Sequence, residues 1–191
     1  MSAAYCLAAP NSPLHGPYHS TEYGFPARDE AVLFERLVLE INQAGLSWAT
    51  ILRKRDAFRA AFAGYAVDKV AVFGPADFDR LMADAGIIRN RLKIAAVIDN
   101  ARRIQELRVS HGSFAAWLDA HHPRPREEWV KLFRKTFRFT GGEIVNEFLM
   151  SLGYLPGAHE ENCPIYAVIE ELTPPWIVRQ NRQPEEPSEP N

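Results

Sequence analysis

Three groups of residues in this chain have the types and spacing to do chemistry. The first centres on Glu40, set in Leu39-Glu40-Ile41-Asn42-Gln43-Ala44-Gly45-Leu46-Ser47-Trp48. Its neighbours Leu37, Val38 and Ile41 share the inward face of a helix, so the carboxylate falls at the edge of a core or cleft. A charge there costs several kcal/mol unless it is paired, hydrogen-bonded or used. Two readings follow: a Glu that solvates or pairs with Arg36 or Lys54, as most charged residues do, or one kept for a ligand. The second group holds the only cysteines, Cys6 and Cys163, with His19 downstream of the first and His159 just before the second. His-x3-Cys puts two ligands one turn apart, workable for Zn²⁺, and two thiolates with two imidazoles would close a tetrahedron with no position open for water. The spacing is not that of a zinc finger, and a buried free thiol with surface histidines is the other reading. The third group is basic. Residues 89–108 hold six Lys and Arg against two acids, and residues 124–138 again six against two. Such excess can grip phosphates or simply solvate helix faces.

The elements that must position these groups are helical. Apolar spacing predicts a helix over residues 29–44, stopped by Gly45, and a second helix capped by Ser47 and running to Phe62. A short helix near Val67–Val72 follows, then one opened by Pro75 and reaching Ala85. Gly86-Ile87-Ile88 turns the chain into a long helix from Arg89 to Val109. Helix, Gly-containing turn, helix has the shape of a helix-hairpin-helix, whose amides and helix N-terminus can hold a phosphate; a plain αα-hairpin is the alternative. Ser113 caps a helix through Ala120, residues 121–125 form a linker, and a basic amphipathic helix runs from Arg126 to Arg138. Helices over residues 143–152 and 164–172 complete the set. Residues 1–28 read as an irregular, Pro-rich arm whose aromatics fold back onto the body. No repeat and no sheet is apparent, so the expected fold is all-α. Residues 1–176 form one globular domain in this reading, and residues 177–191 a disordered polar tail.

The composition is that of an ordinary globular chain. No apolar run approaches about 18 residues, so no membrane span is expected. The N-terminal residues lack the charge and apolar run of a secretory signal, which places the protein in the cytoplasm with reduced thiols.

The Glu40 stretch is also where a resemblance becomes specific. Glu40-x-x-Gln43-Ala44-Gly45-Leu46-Ser47-Trp48 resembles the signature of the DNA-3-methyladenine glycosylase I family. Upstream, Tyr18-His19-x-x-Glu22-Tyr23-Gly24-x-Pro26 is similar to that family's Tyr-His-x-x-Glu-Trp-Gly-x-Pro. Downstream, residues 84–94 and Phe137-x-Phe139-x-Gly141 match in order, so the similarity spans roughly residues 5 to 165.

The resemblance implies a helix-hairpin-helix fold in which a structural zinc, held by Cys6, His19, His159 and Cys163, staples the two ends of the domain together. It implies a base-excision repair enzyme that flips 3-methyladenine out of double-stranded DNA and hydrolyses its N-glycosidic bond. Tyr18 and Trp48 would stack on the base, and Glu40 would be the carboxylate that reads it. Leu46 would fill the gap left in the duplex, and Gly86, Arg89 and Arg91 would contact the DNA. No lysine near the pocket argues for a lyase step, so the enzyme is expected to be a monofunctional monomer that leaves an abasic site. Departures from the pattern stand at Ala8, His15, Glu143 and Asn146, where the family has Trp, Tyr, Thr and Tyr. They define the alternative, a zinc-stapled DNA-binding or scaffold protein without glycosylase activity.

Overall fold

The computed structural model describes residues 3–180, and every regular element among them is a helix. The centre of the fold is α3 (Glu30–Gln43), which is buried on all sides from Leu33 to Asn42. Asp29 begins it as an N-cap, accepting a hydrogen bond from the Val32 amide at 3.0 Å. Gly45 ends it with φ +81°, the left-handed conformation that only glycine adopts without strain. Around α3 pack α4 (Trp48–Ala61), α7 (Arg91–His111), α8 (Phe114–His121) and α10 (Gly142–Ser151). The short α5 (Val67–Ala71) lies on α7, and α6 (Pro75–Ala83) precedes it with Pro75 in its first turn. On the far side, α9 (Arg126–Thr136) joins Trp129 and Phe133 to Phe114, Trp117, Phe137 and Phe148 in one aromatic cluster. Burying such rings is worth several kcal/mol each, which is what seats α8, α9 and α10 on the core.

Three expectations need correction. The arm before residue 29 is not irregular: α1 (Ala3–Ala8), a 3-10 turn (Ala9–Asn11) and α2 (Gly16–Thr21) form within it. Pro10 and Pro17 occupy first-turn positions, where a missing N–H costs nothing. The long helix starts at Arg91 rather than Arg89, because the Asn90 side chain caps the Leu92 and Lys93 amides at 3.0 and 3.1 Å. After α11 (Pro164–Glu171) the chain forms α12 (Pro175–Gln180), which straddles the expected start of the tail; residues 181–191 of that tail lie outside the described residues. No described helix is long and apolar enough to cross a membrane.

Candidate active site and metal-binding group

The chain puts Glu40 where its apolar neighbours require it, at the inner wall of a cavity of about 470 Å³. Gln43, Ala44, Gly45 and Trp48 line the same cavity from the α3–α4 turn, and Glu143, Ile144 and Glu147 close it from α10. Glu40 is 3 % exposed. Neither expected partner holds it: Arg36 donates instead to the Glu22 carbonyl and carboxylate, and Lys54 to the carbonyls of Ala85 and Gly86. Among the described residues no group donates a hydrogen bond to Glu40. Burial, with the negative charge of Glu147 added, pushes its carboxyl up to about 8, and the Arg36 charge offsets part of this.

Tyr18 and Trp48 meet beside Glu40, with ring centroids 4.9 Å apart at a 55° tilt. Trp48 starts α4 behind Ser47, whose hydroxyl caps the Thr50 amide, and it stays half-buried at the cavity wall. Tyr18 comes from α2 and is fully buried, and its hydroxyl has no hydrogen-bond partner among the described residues. Such an orphan costs about 1–3 kcal/mol and needs a reason. Arg36 lies over the Tyr18 ring, 5.2 Å from its centroid. The arm that carries Tyr18 is pinned to α3 and α4 by a network that sequence spacing could not reveal. Arg55 grips Glu22 in a two-bonded fork (2.6 and 2.7 Å) and also binds Glu35 at 2.8 Å, while Arg59 takes the other Glu35 oxygen at 2.6 Å. Tyr23, from the same arm, donates to Glu147 Oε2 at 2.8 Å. Of the departures, Ala8 is exposed on α1, whereas Tyr5 sets its ring against His15, centroids 5.6 Å apart. Glu143 is at the cavity's rim and pairs with Arg126 at 2.5 Å.

The four expected nucleic-acid contacts fall on two turns that the structure brings together. Leu46 is exposed at the tip of the α3–α4 turn, and its amide donates to the Gln43 carbonyl at 2.7 Å. Gly86 and Arg89 belong to the α6–α7 turn, and Arg91 is the first residue of α7. A Cβ at Gly86 would meet Asp84 Oδ1 at 2.9 Å and the Ala57 methyl at 3.0 Å, so glycine is required for this turn to lie against α4. The Gly86 amide is already used, donating to Asp84 Oδ1 at 2.7 Å. Arg89 and Arg91 are exposed, with Arg91 over the Phe78 ring. Lys93, one turn further on, is buried and donates to the carbonyls of Asn42 (2.9 Å) and Ala44 (2.7 Å). It therefore satisfies the C-terminus of α3 and ties the two turns to one surface. Much of the remaining basic excess is spent internally. Arg102 donates to the carbonyls of Ala71 and Phe73, Arg108 pairs with Glu30 and Asp68, and Arg138 pairs with Asp99 at 2.9 Å.

Cys6, His19, His159 and Cys163 converge, with their ligand atoms all within 4.8 Å of one another. Cys163 Sγ is 3.7 Å from His19 Nε2 and 3.5 Å from His159 Nδ1, and Cys6 Sγ is 3.8 Å from the same His159 nitrogen. A tetrahedron with bonds of about 2.0–2.3 Å has edges of about 3.3–3.8 Å, so the set fits a closed four-ligand ion such as zinc. His159 Nε2 donates to the Tyr23 carbonyl at 2.8 Å, which leaves Nδ1 as the ligand atom. Burial lowers the pKa of both histidines, favouring the neutral imidazole a metal needs.

The sequence pattern of the methyladenine glycosylase family matches residues 8–131. DNA-3-methyladenine glycosylase 1 of Escherichia coli (strain K12) is 34 % identical, over 84 % of this chain and 96 % of that protein. DNA-3-methyladenine glycosylase of Haemophilus influenzae is 32 % identical, over 77 % and 89 %. Among solved structures, 3-methyladenine DNA glycosylase I from Staphylococcus aureus superposes with a TM-score of 0.76 at 29 % identity, over 86 % of this chain and 97 % of that one. A variant of 3-methyladenine DNA glycosylase I in complex with 3-methyladenine gives 0.75 at 30 % identity, over 81 % and 93 %.

Proposed function

The chain belongs to the methyladenine glycosylase family, and we propose that it hydrolyses the N-glycosidic bond of 3-methyladenine flipped out of double-stranded DNA. The observation that carries this reading is Glu40, buried and without a donor among the described residues, in one cavity with Trp48 and beside Tyr18. A base methylated at N3 and still bonded to its sugar is a cation. Aromatic faces attract it by cation–π interaction, and a buried carboxyl becomes an anion once that cation sits beside it. Glu40 then accepts from the base, while Tyr18 and Trp48 hold its face. The C1′–N9 bond breaks with its electron pair going to the base, which leaves neutral. Water adds to C1′ and loses a proton to solvent, giving an abasic site. Little acid catalysis is needed, because the leaving group is already activated. No lysine lines the cavity, and the amine of Lys93, which reaches the carbonyl of the cavity residue Ala44, is committed to two carbonyls, which supports a monofunctional enzyme.

In this reading Leu46 wedges into the duplex as a base leaves the stack. The α6–α7 turn acts as a helix-hairpin-helix, with Gly86, Arg89 and Arg91 against the backbone. Zinc at Cys6, His19, His159 and Cys163 holds the arm that carries Tyr18; with four protein ligands its contribution is structural. The enzyme works as a monomer in the cytoplasm. A scaffold without activity would have no use for a buried carboxyl near a phenol that has no partner among the described residues. The test is incubation with methylated duplex DNA and quantification of free 3-methyladenine and 7-methylguanine. Release of 3-methyladenine, strongly reduced in Glu40→Gln and Trp48→Ala, is expected. No release by folded protein would refute the proposal.

A further inference from the structure

The loop between α9 and α10 carries a feature that neither the fold nor the base pocket explains. Phe139 has a left-handed backbone, φ +59°, and is 38 % exposed. A bulky side chain at such a φ is strained, where glycine would sit freely. Ala63, Tyr65 and Thr173 are the other non-glycine residues with a positive φ among those described, and Tyr65 is fully buried. Phe139 is therefore the one exposed aromatic in a strained backbone. Asn100, buried on α7, holds the preceding residue from both sides. It accepts from the Arg138 amide at 2.7 Å and donates to the Arg138 carbonyl at 3.1 Å. On the other side Thr140 is buried and its hydroxyl donates to the Phe137 carbonyl at 3.2 Å. A loop fixed this firmly presents its ring to the outside, and strain kept in place by its surroundings is characteristic of ligand-binding sites.

The ring adjoins the surface proposed above for DNA. Lys93 Nζ lies 5.8 Å from the centre of the Phe139 ring and donates to the Ala44 carbonyl at 2.7 Å. One ammonium thus joins the ring to the turn that carries Leu46. Between α7 and the loop is an open cavity of about 410 Å³, lined by Leu92, Ala95, Arg134 and Phe139 among others. Leu92 is 70 % exposed and follows Arg91 directly, so the surface continues along α7 from the α6–α7 turn. Asp99, the one acid lining this cavity, is paired with Arg102 at 3.2 Å and Arg138 at 2.9 Å. Arg134 is exposed and has no ion pair among the described residues. An apolar ring and a guanidinium at one groove suit a nucleotide: its sugar or base meets the ring and its phosphate the cation. We propose that this loop is a further DNA-contact element, in which Phe139 packs on a nucleotide near the gap that Leu46 fills and Arg134 neutralises a phosphate. This rests on the DNA-binding reading given above.

The probe is a fluorescent duplex containing one tetrahydrofuran abasic analogue, titrated with the full chain in an anisotropy assay over a series of salt concentrations. Phe139→Gly removes the ring and relieves the backbone, and should weaken duplex binding about tenfold. Arg134→Gln should lower the slope of log Kd against log salt by about 0.9, the share of one phosphate. Binding of free 3-methyladenine, followed by titration calorimetry, should change by less than about twofold in both variants, since neither residue lines the base cavity. Should Phe139→Gly not fold, Phe139→Asn takes its place, because asparagine also tolerates a left-handed backbone. Unchanged duplex affinity in the Phe139 variant, an unchanged slope in Arg134→Gln, or an equal loss for duplex and free base overturns the proposal. Release of 3-methyladenine from methylated DNA is measured on the same wild-type preparation. Release with a duplex affinity indifferent to Phe139 removes the loop contact and leaves the glycosylase reading. A Phe139-dependent affinity without release keeps the contact and removes the reaction.

Discussion

Replacing Glu40 with Gln should make the protein more stable and less active, and the stability gain should depend on pH. Burial and the Glu147 charge raise the Glu40 carboxyl from an ordinary 4.5 to about 8 in the folded protein. Between those values the folded chain holds a proton that the unfolded chain has released. Folding stability then falls as pH rises through this window, by up to about 1.4 kcal/mol per pH unit. Over the whole interval the upper limit is about 5 kcal/mol. Gln has the same shape and no charge, so it escapes this loss. Urea unfolding followed by circular dichroism, from pH 5 to 9, should show wild type and Glu40→Gln close together at pH 5 and several kcal/mol apart at pH 8, with the variant the more stable. Protonation of the Cys and His group affects both proteins alike and cancels in the difference. A gap that is constant with pH, or a variant that is less stable at pH 8, would refute the claim that burial holds a proton on Glu40. Loss of base release in the same variant would show that the site holds a destabilising group for its chemistry.

Three other outcomes are expected. Purified protein should carry about one zinc per chain by metal analysis, and Cys163→Ser should lose it together with several degrees of Tm; a metal-free wild type with the same Tm would contradict the ligand assignment. Gly86→Ala must displace Asp84 or Ala57, costing about 1–3 kcal/mol in denaturant unfolding, and should weaken duplex binding in a filter or anisotropy assay. Lys93→Met leaves the carbonyls of Asn42 and Ala44 without their donor. It should cost about 1–3 kcal/mol and lower kcat/KM for base release by loosening the turn that carries Leu46; unchanged kinetics would detach that turn from the reaction.

What was legible in the sequence was local. Asp29, Ser47, Pro75 and Ser113 announced helix starts and Gly45 a helix stop, because a cap or a positive φ is decided within four residues. Glu40 stood out because its inward-facing neighbours set a carboxylate at the edge of a core or cleft. What was illegible depends on elements distant in sequence. Arg36 stands one helical turn from Glu40 and was a reasonable partner for it, yet it turns to Glu22, which only the folded arm brings within reach. Glu147 carries no local sign of its place, since it enters the cavity only through the packing of α10 on α3. The basic stretches misled in the same way: composition counts charges, but Arg102, Arg108 and Arg138 are consumed by protein partners that composition does not name. The arm's prolines suggested an irregular segment because a proline breaks a helix everywhere except in its first turn, which is where two of them sit.

The meeting of Cys6 with His159, 153 positions apart, has a consequence for the life of the chain as it is made. Tyr18 is next to one ligand of the Cys and His group, and Tyr23 rests its carbonyl on another. A chain whose synthesis stops before His159 has α3 and α4, with Glu40 and Trp48 on them, and the Arg55–Glu22 fork that pins the arm, but it lacks two of the four residues that gather beside Tyr18. Partial products that end there hold the Tyr18 side of the pocket by fewer ties. The Cys and His group, and with it the full set of ties on the Tyr18 segment, can close only after residue 163 has been made.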